Sequence, residues 1–105
     1  MKQLIMLAPK SLTVREVDVP EAKAGEVRIR VRQIGICGSD IHVWHGTHPF
    51  TPYPVVQGHE FCGHIDQLGE GVNHLAVGDL VTAMPQIVCG HCHACLSGQF
   101  HICEN

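Results

Sequence analysis

Four cysteines in the run CGHCHACLSGQFHIC, Cys89, Cys92, Cys95 and Cys103, restrict what this chain can fold into more than any other feature. Two-residue gaps suit a knuckle that wraps one tetrahedral metal ion and turns backbone N–H groups toward the sulfurs. Disulfides between neighbours this close would strain the turn. The spacing therefore predicts a structural zinc ion held by four thiolates at about 2.3 Å. Four protein ligands leave no open coordination position, so this ion staples a lobe, residues 89–103, and performs no chemistry. The chemistry has to be sought elsewhere in the chain.

At 105 residues the chain is expected to form one small domain around one core, a size at which a metal staple adds useful stability. Its six cysteines could mean disulfides in a secreted module. Met1 to Lys10, however, has neither the apolar stretch nor the cleavage site of a signal peptide. A cytoplasmic setting, where thiols stay reduced and free for metal, is expected instead. The net charge is −3, and the seven Lys and Arg spread over the first 32 residues without forming a basic face, so nucleic acid is not an expected partner. Without an apolar run near the ~20 residues of a bilayer span, no membrane role is expected either. Nine histidines beside six cysteines make the chain rich in potential metal ligands. Most of these histidines, among them His45, His48, His64, His74, His91, His93 and His101, read as surface or loop residues.

Lys2 to Leu7 and Leu12 to Val19 read as two strands joined at Ala8-Pro9-Lys10-Ser11, a hairpin pattern. Glu26 to Arg32 alternates charged and apolar residues with period two, which predicts a strand with one wet face. Ser39 or Asp40 is placed to cap a helical turn through Ile41 to Trp44, and the proline-rich Thr47 to Pro54 reads as loop. Further strands are expected over Phe61 to Leu68 and Asp79 to Met84, with Gly69-Glu70-Gly71 as a turn. Short strands punctuated by Gly and Pro predict a mainly β fold, a compact barrel or sandwich with little helix, from which the cysteine lobe projects.

A second group of residues has a different character: Cys37 in GICGSDIH, and His59 with Glu60 in GHEFCG. Thiolate, imidazole and carboxylate are all ligands that catalytic zinc accepts, and a mixed set drawn from separated segments is how an open, water-bearing site is built. Cys62, by contrast, reads as core packing, and Trp44, Phe50 and Tyr53 as either core or the lining of a substrate pocket.

The order of GICGSDIH, of Gly58-His59-Glu60 with Gly63, Gly69 and Val72, and of the four-cysteine lobe resembles the zinc-dependent medium-chain alcohol dehydrogenase family along the whole chain. The resemblance implies a GroES-like distorted β-barrel. It also implies catalytic zinc on Cys37 and His59, with Glu60 as a direct or exchanging ligand, and structural zinc on Cys89, Cys92, Cys95 and Cys103. Members of the family bind an alcohol to zinc as an alkoxide and pass hydride to NAD(P). Ser39 falls where the family has its relay hydroxyl, His42 where the proton passes outward, and Asp40 where a carboxylate supports the ligand histidine.

Gly38 follows Cys37 where some ethanol-oxidising relatives carry arginine, and the combination with Ser39 is similar to the polyol, sugar-acid and threonine branch. Small alcohols, polyols or sugar acids are the substrates implied, and a homo-oligomer is the assembly implied for the full-length protein. Gly69-Glu70-Gly71-Val72-Asn73-His74 lacks the last glycine of a dinucleotide fingerprint and a helical pattern after it, so no nucleotide site is expected here. The chain is accordingly expected to be a truncated front part of such an enzyme, inactive alone, with the Rossmann domain and NAD(P) contacts downstream. The alternative is a zinc-stabilised GroES-like binding module without catalysis.

Overall fold

β-Branched and apolar segments separated by Gly and Pro fold into five short strands and little helix. The computed structural model describes residues 1–105. The strands are β1 (Lys2–Ala8), β2 (Ser11–Glu16), β3 (Val27–Ile34), β4 (Phe61–Leu68) and β5 (Leu80–Thr82). The helices are α1 (Gly38–His45), α2 (His93–Leu96) and a 3₁₀ turn over Phe100–Ile102. β1 and β2 form the expected antiparallel hairpin, with Lys10 in the left-handed region at its turn. β3, β4 and β5 make a second antiparallel sheet in that order. Met6 ties the hairpin to the loop before the site by exchanging two backbone hydrogen bonds of 2.9 Å with Val55.

Several element limits differ from the sequence expectation, and each difference traces to a partner. β2 stops at Glu16, short of Val19, because Lys2, at the start of β1, pairs with Glu16. β5 spans only Leu80–Thr82 because it pairs only with Cys62 to His64 of β4. The helix of the GICGSDIH segment is longer than one turn, and its N-cap is Cys37 rather than Ser39 or Asp40. Asp40 instead occupies the third helical position, and its Oδ2 accepts the Cys37 N–H at 2.9 Å. That contact satisfies one of the orphan donors at a helix start.

Two bulges interrupt the β3–β4 ladder, where Arg28 and Ile29 pair with Gln67 and Ile65, and Val31 and Gln33 with Gly63 and Cys62. They leave Asp66 and Arg32 as the extra residues. The period-two face of β3 is therefore not realised: Arg28 is half-buried on Asp66, while Val31 is 52% exposed. The glycines near these irregularities are steric necessities. A Cβ at Gly63 would lie 2.3 Å from the Arg30 carbonyl oxygen, and one at Gly69 only 1.7 Å from that of Lys23.

Burial is sparse. Ile5, Met6, Val43 and Ile65 are buried among the strands and α1, while Cys92, Ala94 and Cys95 form a separate cluster in the cysteine lobe. The molecule measures 41 × 35 × 20 Å, and large apolar side chains such as Ile34, Ile36 and Ile87 stand open to solvent.

Candidate metal centres

In the lobe, Cys89 precedes α2, Cys92 caps its start, Cys95 lies within it and Cys103 follows the 3₁₀ turn. This path gathers all four sulfurs within 4.8 Å of one another. Backbone N–H groups turn toward them as the spacing predicts: Cys89 N–H to the Cys103 sulfur, Cys92 N–H to the Cys89 sulfur and Cys95 N–H to the Cys92 sulfur, each at 3.4 Å. N–H donors from His91 and Cys92 pull the Cys89 thiol down to about 6. Burial and the neighbouring sulfurs push the Cys95 thiol up to about 12. Four sulfurs this close cannot all ionise unless a cation sits among them, so the donor set fits a tetrahedral thiophilic ion. His91, His93 and His101 are exposed and outside the sulfur group; His91 lies in a loop as expected, whereas His93 opens α2 and His101 stands in the 3₁₀ turn.

The second group comes together from two elements. Cys37 stands at the start of α1, while His59 and Glu60 immediately precede β4. Their donor atoms lie within 4.8 Å of one another. Asp40 joins the two segments: one carboxylate oxygen holds the Cys37 N–H, and the other lies 3.8 Å from His59 Nδ1. With Asp40 facing Nδ1, Nε2 is the nitrogen free for a metal. Three mixed donors fit a zinc ion with room for one further ligand.

The remaining predicted residues separate. Ser39 and His42 are three apart on α1 and so share a helical face. No hydrogen bond joins them: His42 is exposed, and its Nδ1 pairs with Thr47 Oγ1 at 3.4 Å. Trp44 lines an apolar cleft of about 410 Å³ with Met6, Leu12, Ile36 and Ile41, beside Asp40. Phe50 is 86% exposed and therefore neither core nor pocket, and Tyr53 donates its hydroxyl to the Val43 carbonyl. Cys62 is half-buried at a second, open cleft rather than packed in a core. His64 lies half-buried on β4, not in a loop, with its Nδ1 on the Gly78 carbonyl at 3.0 Å. Gly35, the first residue of GICGSDIH but one to which the sequence assigned no role, faces Glu60 directly: its N–H donates to the Glu60 carbonyl at 2.8 Å. Only the register of β3 against β4 brings it there.

Residues 23–105 match the family model described as the alcohol dehydrogenase GroES-like domain. The chain is 46% identical to the starvation-sensing protein RspB of Escherichia coli (strain K12), over 98% of this chain and 30% of that protein. It is 41% identical to L-galactonate-5-dehydrogenase of the same organism, over 99% of this chain and 31% of that protein. Among solved structures it is similar to a cobalt- and zinc-bound thermostable alcohol dehydrogenase from Pyrobaculum aerophilum. That match has a TM-score of 0.88 and 34% identity, over 99% of this chain and 32% of that one. The chain thus spans about 30% of the length of the curated relatives it matches. The mainly β architecture, the motif order and these likenesses agree, and the chain belongs to the GroES-like domain family of the zinc-dependent alcohol dehydrogenases.

Proposed function

We propose that this chain is the N-terminal part of a zinc-dependent, NAD(P)-linked dehydrogenase acting on an alcohol, polyol or sugar acid, with NAD(P) bound by a further domain. The observation that carries the reading is the convergence of Cys37, His59 and Glu60, from two separate segments, to within 4.8 Å, with Asp40 bridging Cys37 and His59. Zinc held there supplies a Lewis acid that lowers the pKa of a hydroxyl brought to it.

The residues of the chain divide the remaining work. Cys37 presents its sulfur from the start of α1. Asp40 orients His59 and keeps its Nε2 available. Ser39, in the first turn of the helix, relays the substrate proton by releasing its own hydroxyl proton as it accepts, and the exposed His42 on the next turn passes a proton to solvent. Cys89, Cys92, Cys95 and Cys103 would hold a second zinc, which would stiffen the lobe. A polar substrate is favoured by Gly38 beside Cys37 and by the likeness to L-galactonate-5-dehydrogenase. The full-length protein is read as a cytoplasmic homo-oligomer.

A self-sufficient binding module calls for a closed, polar surface. Ile34, Ile36 and Ile87, exposed by 72, 77 and 98%, argue instead for a chain that packs against more protein. The test is native mass spectrometry of the full-length protein, with reduced-nicotinamide formation measured against polyols, sugar acids and threonine. Two zinc ions per chain are expected, with turnover on one of these classes. His59→Ala should remove one zinc and the turnover together. Full metal content and activity in that variant would end the reading.

A further inference from the structure

The ladder between β3 and β4 ends at the pair Ile34–Phe61, so the next residues outward, Gly35 and Glu60, are cross-strand neighbours at the edge of the three-donor site. Their backbones stay joined by the Gly35 N–H to Glu60 carbonyl hydrogen bond of 2.8 Å. The Glu60 side chain does not point away along the sheet. It folds back over the Cα of Gly35: a Cβ built on Gly35 would lie 2.5 Å from Glu60 Oε2 and 3.1 Å from Glu60 Cβ. The 2.5 Å separation is shorter than any ordinary contact, so the carboxylate occupies the space that a side chain at position 35 would fill. The two residues also line one open cleft together with Ile34, Phe61 and Cys62.

We propose that Gly35 is a positioning residue for Glu60, its missing side chain forming the niche that lets the carboxylate reach Cys37 and His59. The inference rests on reading these three donors as a metal site. Unlike Gly46 or Gly58, Gly35 does not have a positive φ, so alanine fits its backbone without strain. The atom in closest conflict is the far end of a flexible side chain. Gly35→Ala is therefore a substitution that moves one carboxylate while leaving its charge and the rest of the donor set in place.

The test is cobalt(II) binding to the purified full-length protein, read as affinity by chelator competition and as the visible ligand-field spectrum. The wild type is compared with Gly35→Ala, Glu60→Ala, the double variant and His59→Ala. Gly35→Ala is expected to weaken the His59-dependent site by about 10-fold or more, the scale of losing a group that orients a metal site. It should also shift the spectrum in the direction that Glu60→Ala does. In the Glu60→Ala background the same change should have almost no further effect. Wild-type affinity and spectrum in Gly35→Ala would overturn the proposal, as would an equal loss with and without Glu60. If Gly35→Ala alone fails to fold, a folded double variant supports the niche and an unfolded one overturns it. A wild type whose cobalt content is indifferent to His59→Ala would overturn the metal-site reading itself, an outcome distinct from all of these.

Discussion

Cys95 and His59 should respond in opposite ways to removal, although both are offered as metal ligands. Cys95 is buried in the lobe's own cluster, where little besides side chains from Val88 to Cys103 holds the structure. Metal-binding free energy there is folding free energy. Cys95→Ser is expected to lower Tm by at least about 10 °C, given roughly 4–8 °C per kcal/mol for a domain of this size. His59 is 38% exposed at the mouth of a site built on α1 and β4. His59→Ala should move Tm by no more than a few degrees while one metal ion is lost. Differential scanning calorimetry with metal analysis separates the two, and equal melting shifts would dissolve the division between staple and reactive site. Both donor groups that the structure gathers could be picked out in the sequence, the four cysteines from their spacing and Cys37 with His59 and Glu60 from residue type together with the family resemblance. Gly35 was not legible, because nothing in its local sequence states which residue lies across the sheet.

At the level of elements, the strands owe their irregularities to particular residues. Gly69 sits so close to the Lys23 carbonyl that any side chain collides with backbone, which cannot swing aside. Gly69→Ala is expected to cost about 3 kcal/mol or more, as severe overpacking does. Chemical denaturation reads this directly, and a loss below 1 kcal/mol would show the turn to be pliable. Asp66, extruded at the bulge, accepts a 2.7 Å hydrogen bond from Arg28 Nε and lies 3.6 Å from Arg30. The Arg28 hydrogen bond leads in holding its carboxyl below the ordinary value of 3.8. A carboxyl depressed in the folded state stabilises it above the unfolded value and loses that contribution as pH falls through the folded one. The stability gap between wild type and Asp66→Asn should thus be flat from neutrality to about pH 5 and close below about 3.8. A gap that widened on acidification would contradict this sign. The hairpin and β4 were readable from periodicity, yet the bulges were not, since two residues opposing one is a property of the pair and not of either strand. The cap of α1 likewise went to Cys37, with Asp40 reaching back from the third helical position to the Cys37 N–H.

For the molecule as a whole, the balance of buried and exposed apolar surface is the deciding property. Ile34 and Ile36 flank a cleft with Trp44 and Leu12 that no other part of this chain covers. Exposed apolar patches of this kind drive association unless something packs on them. The 105-residue chain, made alone with zinc, is expected to enhance the fluorescence of an apolar dye and to self-associate at micromolar concentration, while the full-length protein does neither. Sedimentation velocity and dye titration check this, and a monodisperse, dye-silent chain would favour the self-sufficient module. What could be read without coordinates was chemistry that is local in the chain: the cysteine knuckle, the Cys37 and His59-Glu60 segments, and a mainly β fold written in period-two runs and turn residues. Such signals survive because spacing along a chain limits which atoms can share one ion and which faces can be buried. What only the tertiary structure decided was how separated segments meet: Asp40 between Cys37 and His59, Gly35 beneath Glu60, and the open apolar face. Those relations follow from strand register and from how few residues this chain can bury by itself, quantities that exist only once distant parts of the backbone are packed together.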